Sequence, residues 1–165
     1  ADVSRVFTHE LVRHRAGTAV SQESLRFVRL DDLGMWAPTA VKEDPEIMEV
    51  FVKTFEQLEE LQKTMAVHYE LDEEGKQFSK KKEITSAMRR IAPIGLSTSV
   101  GWSTNIRALR HVLEARTEPS AEEEIRLVFS KVGELVTERY PVLFGDYETE
   151  IVNGIPWYRT ELPKV

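Results

Sequence analysis

Three consecutive basic residues, Arg13, His14 and Arg15, close the first helix that the apolar spacing predicts. Guanidinium groups bind phosphate through two parallel hydrogen bonds, so this run could hold an anionic ligand. Basic side chains at the end of a helix also complement the negative end of its dipole, and that role needs no ligand. The run by itself is compatible with both interpretations.

Gln22, Ser24 and Arg26 follow at alternate positions. If this stretch is extended, its period of two places the three side chains on one face. An amide, a hydroxyl and a guanidinium together can bind a phosphate and recognise the edge of a pyrimidine. A polar turn would explain the same residues without a ligand, because short motifs often occur by chance.

The composition narrows the classes of function. The chain has 165 residues, a formal net charge of −6 and no cysteine. The negative charge argues against a broad nucleic-acid surface, although one local basic pocket is still possible. Without cysteine there is no disulfide, thiolate zinc site or thiol nucleophile, and we expect no metal. No apolar run approaches the roughly 20 residues that span a bilayer, and no secretory signal is visible, so we expect no membrane partner.

The elements that must position these residues are mostly helices. Asp44 with Pro45 is typical of a helix start, and Ser120 with Glu123 matches a capping box. Asn153-Gly154 predicts a small hairpin turn. Apolar periodicity predicts helices over residues 2–15, 45–65, 81–92, 105–116 and from 120 to near 141, and a strand over residues 25–30. The pattern indicates one helix-rich α+β domain over residues 1–165.

The run LVRHRAGTAVSQESLRFVRL resembles the signature of flavin-dependent thymidylate synthases, which has Arg-His-Arg, a short spacer and then Ser-Gln-x-Ser-x-Arg-aromatic. A second block, MRRIAPIGLSTSVGWSTNIRALRHVLEAR, is similar to the downstream segment of that family. EPSAEEEIR stands where the family has a third block. The three blocks occur in the family order from about Arg5 to Phe144. The positions that match in the second block are Arg89, Pro93, Trp102, Asn105, Arg107 and Arg116.

The resemblance implies a methyltransferase that converts dUMP to dTMP. Methylenetetrahydrofolate gives the one-carbon unit, and FAD reduced by NADPH gives the hydride. No enzyme nucleophile is needed, which agrees with the absence of cysteine. The family also implies its own α+β fold with a small antiparallel sheet, a cytoplasmic homotetramer with active sites at subunit interfaces, and no nucleic-acid or membrane partner.

The resemblance also assigns roles to residues. Ser24 and Arg116 are the catalytic candidates, with Ser24 near the reacting pyrimidine. His111 has an alternative as a partly buried packing residue, and Trp102 is expected to pack rather than bind. The dUMP-binding positions are Gln22, Ser24, Arg26, Arg89 and Arg116. The FAD-binding positions are Arg13, His14, Arg15, Asn105, Arg107 and His111.

The chain departs from the family pattern at several places. The spacer between Arg15 and Ser24 is one residue longer, and Phe27 replaces the usual tyrosine. Ser120 and Glu122 replace a histidine and a glutamine, which puts the flavin contacts of the third block in doubt and leaves Ser120 as a possible helix cap.

The family normally has several dozen further residues ahead of the first block, so we expect an N-terminally truncated form. The alternative function is a non-catalytic nucleotide- or flavin-binding relative, or an inactive fragment. RNA binding through residues 13–15 is disfavoured, because neither further basic residues nor interleaved aromatics surround them.

Overall fold

The computed structural model describes residues 3–75 and 77–162. The chain divides into two compact units, the first made of residues 1–6 and 22–100 and the second of residues 7–21 and 101–165. The single domain that the sequence predicts stays a prediction.

The first unit is built around a long helix, α3. Asp44 begins this helix by accepting hydrogen bonds from the backbone amides of Glu46 and Ile47, and Pro45 supplies the first helical residue. A two-stranded antiparallel ladder joins β1 to β3. The elements are β1 (Val3–Ser4), the start of α1 (Arg5–Leu11), α2 (Thr39–Lys42), α3 (Pro45–His68), α4 (Phe78–Met88), a 3-10 turn (Arg89–Ile91) and β3 (Ser97–Thr98).

Two apolar clusters form the core of the first unit. One surrounds Leu33 and Leu96, against which Phe55 and Leu58 of α3 pack. The other joins the end of α3 to α4 and contains Ala66, Leu71, Ile84 and Met88. The two clusters fix α4 and the 3-10 turn that follows it, and this turn carries Arg89.

The second unit combines a helix pair with two small ladders. Strand β2 pairs with β4, and β5 pairs antiparallel with β6 across the Asn153-Gly154 turn. Leu113, Phe144 and Tyr158 are buried together at its core. The elements are the rest of α1, β2 (Thr18–Gln22), β4 (Val100–Thr104), α5 (Ile106–Thr117), α6 (Glu123–Arg139), α7 (Pro141–Phe144), β5 (Glu148–Val152) and β6 (Ile155–Arg159).

The strand predicted over residues 25–30 is wrong, because this segment forms turns. The amide of Phe27 donates to the carbonyl of Ser24, and the Thr85 hydroxyl donates to the carbonyl of Arg26. These bonds satisfy the backbone without a neighbouring strand. The observed strand lies instead in the preceding spacer, where β2 pairs with β4. Gln22, Ser24 and Arg26 therefore do not share one face of a strand.

Three helix boundaries also differ from the prediction. The first helix is only Arg5–Leu11, because Val3 and Ser4 pair with β3. Helix α4 begins earlier than predicted, at Phe78, and ends at Met88. The prediction of a capping box that begins at Ser120 is wrong. Glu122 is the N-cap of α6, and its carboxylate accepts the amides of Glu124 and Ile125. Burial raises the pKa of Glu122 above its usual value.

Within the described residues, no helix is both long and apolar enough to cross a membrane.

A buried arginine fastens the C-terminal residues to α5. Arg110 is 5% exposed and forms two hydrogen bonds with the carboxylate of Asp146, at 2.8 and 2.5 Å. The same guanidinium donates to the carbonyls of Leu143 and Leu162. Thr160 donates to Asp146 at 2.6 Å. Hydrogen bonding from Arg110 holds the pKa of Asp146 well below its usual value.

Asp146→Asn is expected to lower the free energy of unfolding by about 2 kcal/mol at pH 7, because a buried guanidinium loses its charged partner. The pKa of Asp146 is lower in the folded state, so its contribution is present above pH ~4 and is lost as the pH falls below that value. Urea unfolding at pH 7 and pH 3 measures both effects. Glu150→Gln, which breaks the exposed pair with Arg159, is the control and should change stability by less than ~0.5 kcal/mol. Equal effects of the two variants would contradict the prediction.

Candidate functional site

All six positions assigned to FAD by resemblance line one open cleft in the second unit, with a volume of about 670 Å³. We call this cleft the cationic cleft. Its functional side chains come from the loop after α1 and from the first two turns of α5. The lining residues are Arg13, His14, Arg15, Ala16, Gly17, Asn105, Arg107, Ala108, His111 and Val112.

The two walls of the cationic cleft are joined at Gly17 and Asn105. The backbone amide of Asn105 donates to the Gly17 carbonyl at 2.9 Å. The side-chain Oδ1 of Asn105 caps α5 by accepting the backbone amide of Ala108 at 2.8 Å. Gly17 has φ +72°, and a Cβ at this position would lie 2.7 Å from Cγ of Asn105. Only glycine combines this backbone conformation with such a close approach. The loop of basic residues is thereby held against the N-terminal end of α5.

His14 lies at the centre of a charged cluster. Its Nε2 accepts a hydrogen bond from Nε of Arg116 at 2.6 Å, and Nη1 of Arg116 contacts Oε2 of Glu10 at 2.6 Å. Burial is the largest cause that lowers the pKa of His14 to about 4, and the positive charge of Arg116 is the next. His14 is therefore neutral near pH 7, so it does not add a fourth cation to the three arginines of the cleft.

His111 contacts His14 edge to face, with ring centroids 6.0 Å apart. Its side chain is exposed, so the alternative that His111 is a partly buried packing residue is wrong. Trp102 is half-buried and contacts the ring of Phe129 edge to face at 5.6 Å, which agrees with a packing role; that it binds no ligand stays a prediction.

A second open cleft, of about 530 Å³, lies in the first unit and holds three of the five residues assigned to dUMP. We call it the Arg89 cleft. Gln22 and Ser24 are both half-buried there. The lining residues are Arg5, Gln22, Glu23, Ser24, Leu25, Arg89 and Arg90. Burial first, and then the charge of Arg89, lowers the pKa of Arg5. The Glu23 carboxylate lines the same cleft and raises the pKa of Arg5, so it offsets part of the repulsion between the two guanidinium groups.

The other two arginines assigned to dUMP have different surroundings. Nε of Arg26 donates to the Ser86 hydroxyl at 2.9 Å, and Arg26 lines a smaller surface groove beside Phe78 and Lys82 instead of the Arg89 cleft. Arg116 belongs to the second unit and bonds to Glu10 and His14.

Three residues that contribute to these sites were missed by sequence reasoning. Arg5 and Arg90 line the Arg89 cleft, and Glu10 binds Arg116. Arg90 stands next to Arg89 in the sequence and could have been suspected. Arg5 and Glu10 carry no local signal, because their importance comes from partners 84 and 106 positions away (89 − 5 and 116 − 10). Among the residues that the structure describes, no group of three or more acids and histidines could hold a metal ion.

The donors of the cationic cleft fit an anionic, hydrogen-bonding cofactor. Arg13, Arg15 and Arg107 provide fixed positive charge, and the N-terminal end of α5 opens toward them. The volume is within the range of cofactor pockets, and its apolar component comes from Ala108 and Val112.

Comparison with a solved structure establishes the fold. The structure of thymidylate synthase X from Helicobacter pylori, solved with FAD and dUMP, superposes with a TM-score of 0.60 at 20% identity, over 87% of this chain and 68% of that chain. At this identity the match establishes the fold, a helix-rich α+β architecture with small antiparallel sheets, which confirms the predicted fold class.

The sequence model of the thymidylate synthase complementing proteins matches residues 1–142, and the chain belongs to this family. The flavin-dependent thymidylate synthase of Corynebacterium diphtheriae is 31% identical over 153 residues, which are 92% of this chain and 60% of the relative. The enzyme of Corynebacterium glutamicum is 33% identical over 152 residues, 90% of this chain and 60% of the relative. The chain thus spans about 60% of the length of these relatives. The predicted family is confirmed.

Gly17→Ala is expected to lower the free energy of unfolding by about 2 kcal/mol, with about 1 kcal/mol from the positive φ and about 1 kcal/mol from displacement of the Asn105 cap. Gly154→Ala is the matched control, because Gly154 has φ +76° and no atom within 4 Å of the added Cβ. Gly154→Ala should therefore lose only the contribution of about 1 kcal/mol that comes from the positive φ. Urea unfolding of both variants measures the difference, and equal losses would show that the contact with Asn105 has no energetic importance.

Proposed function

We propose that this chain carries the flavin- and nucleotide-binding part of a flavin-dependent thymidylate synthase, which methylates dUMP to dTMP with methylenetetrahydrofolate and NADPH as co-substrates. The observation that carries the proposal is that all six family flavin positions line one cleft. Family membership and the names of the relatives support the reaction class. A cytoplasmic location is part of the proposal and rests on the family resemblance.

In the cationic cleft, FAD when bound would supply the hydride that the reaction needs. Arg13, Arg15 and Arg107 would balance its negative charge, and the N-terminal end of α5 adds a favourable dipole. His14, held neutral, would act as an uncharged hydrogen-bonding group. His111 is exposed beside it and can contact the same ligand. The task of these side chains is to hold the cofactor and exclude water from it.

In the Arg89 cleft, the dUMP phosphate would lie between Arg5 and Arg89, where it relieves their mutual repulsion. Gln22 would bind the nucleotide through its side-chain amide. The Ser24 hydroxyl accepts the backbone amide of Arg26 at 3.4 Å, and Ser24 is proposed as catalytic, near the reacting pyrimidine, from the family pattern. Arg26 and Arg116 are proposed as dUMP residues from the family pattern, with Arg116 also proposed as catalytic.

The chain is expected to bind FAD and to give a visible flavin spectrum. Arg107→Gln should weaken FAD binding about tenfold, because one charge-assisted contact contributes about 1.5 kcal/mol. Arg139→Gln, at the exposed end of α6, is the control. Titration of each purified variant with FAD, followed by absorbance and flavin fluorescence, measures the affinities.

In the same samples, dUMP should shift the flavin spectrum. Arg89→Gln should raise the dUMP concentration that gives half of this shift about tenfold. Arg29→Gln, which loses only an exposed pair with Asp72, should not change it. A chain that binds dUMP but no FAD would contradict the proposed enzyme activity and favour a non-catalytic binding relative. This relative is the second candidate because the chain spans only 60% of the length of the enzyme from Corynebacterium diphtheriae. Binding of neither ligand would contradict both candidates.

We also propose a homotetramer with active sites at subunit interfaces. This assembly is proposed from the family resemblance. Light scattering of the purified chain should give about four times the mass of 19.0 kDa. A monomer across the accessible concentration range would contradict this assembly.

A further inference from the structure

Glu10 binds Arg116 through both its side chain and its backbone. Its Oε2 accepts Nη1 of Arg116 at 2.6 Å, and its carbonyl accepts Nη2 at 3.1 Å. Arg13 adds a contact of 3.2 Å to the other carboxylate oxygen. The Arg116 side chain is 14% exposed. The guanidinium is thus fixed in one orientation on two of its three nitrogens.

That orientation points the third nitrogen of Arg116 at His14. Nε of Arg116 lies 2.6 Å from Nε2 of His14. A guanidinium nitrogen can only donate, so the His14 nitrogen must accept and cannot carry a proton. A neutral imidazole keeps its single proton on the other nitrogen, Nδ1.

We propose that Glu10 is a positioning residue of the cationic cleft: by orienting Arg116 it keeps the His14 imidazole uncharged, with its one proton on Nδ1. The Arg-His-Arg run then presents two cations and one neutral donor instead of three cations. The meaning of this arrangement for FAD rests on the proposed function, whereas the state of His14 does not. The charged and titratable groups that face His14 are Arg116, His111, Glu10 and Arg13.

Charge and position have opposite effects here, and this makes the proposal testable. The Glu10 carboxylate by itself raises the pKa of His14, whereas the adjacent Arg116 lowers it. If Glu10 acted only through its charge, Glu10→Gln would lower the pKa of His14 further. If Glu10 acts by positioning Arg116, the same variant replaces the charge-assisted bond to Nη1 with a weaker neutral one and loosens the guanidinium, and the pKa of His14 rises from about 4 toward 6.5.

Imidazole nitrogen NMR of the ligand-free 165-residue chain, recorded from pH 8 to pH 4, distinguishes these cases. In the unmodified chain, His14 should show a protonated Nδ1 and an unprotonated Nε2 at pH 7. Glu10→Gln should give a mixture of both tautomers and a higher titration midpoint. Glu49→Gln, which breaks only an exposed pair with Lys53, is the control and should leave His14 unchanged. His14 signals are assigned by their loss in His14→Gln.

Arg116→Lys provides a second test that does not depend on how well Glu10→Gln folds. It keeps the positive charge but removes the fixed Nε–H donor. The positioning role requires mixed His14 tautomers in this variant as well. An unchanged tautomer in both variants, or a lower titration midpoint in Glu10→Gln, would overturn the proposal. No flavin is present in these samples, so the outcome is independent of whether the chain binds FAD.

Discussion

The hydrogen bond from the backbone amide of Asn105 to the Gly17 carbonyl, at 2.9 Å, is the contact on which the cationic cleft depends. It lies where a loop of basic residues meets the first turn of α5. The side chain of Asn105 is engaged as the N-cap of that helix, so the cap and the loop are fixed by one residue. The Thr18 hydroxyl adds a bond to the His14 carbonyl from the start of β2. The loop is thereby held at His14 and at Gly17.

Helix α5 has to be held in turn, because it carries most of the second wall. Arg110 and Tyr147 do this on its far side, since the Tyr147 hydroxyl donates to the Arg110 carbonyl at 2.8 Å and Arg110 binds Asp146. The ladder of β5 and β6 packs there too, with the amide of Tyr158 donating to the hydroxyl of Thr117. Residues beyond 142, where the family match ends, therefore support the helix that presents Asn105 and Arg107.

Sequence reasoning was most successful where local chemistry determines local structure. Helix α3 could be predicted from Asp44, Pro45 and its apolar face, and the tight hairpin from Asn153-Gly154. It failed at residues 25–30, where an alternating pattern matched a strand but the backbone partners came from Thr85, 59 residues away from Arg26. The charge of His14 was also out of reach, because a basic run gives no sign that burial and an arginine 102 positions away will lower the pKa of one member.

The two clefts differ in what an incoming anion would have to displace. At Arg116, an anion competes with a carboxylate already 2.6 Å from the guanidinium, so the new contact replaces an existing one. In the Arg89 cleft, burial and the charge of Arg89 lower the pKa of Arg5, whereas the Glu23 carboxylate raises it. Nη2 of Arg5 already donates to the backbone carbonyl of Glu23 at 3.0 Å. An anion at Arg116 would therefore replace a charged partner and require Glu10 to give it up, whereas an anion at Arg5 would replace a neutral one.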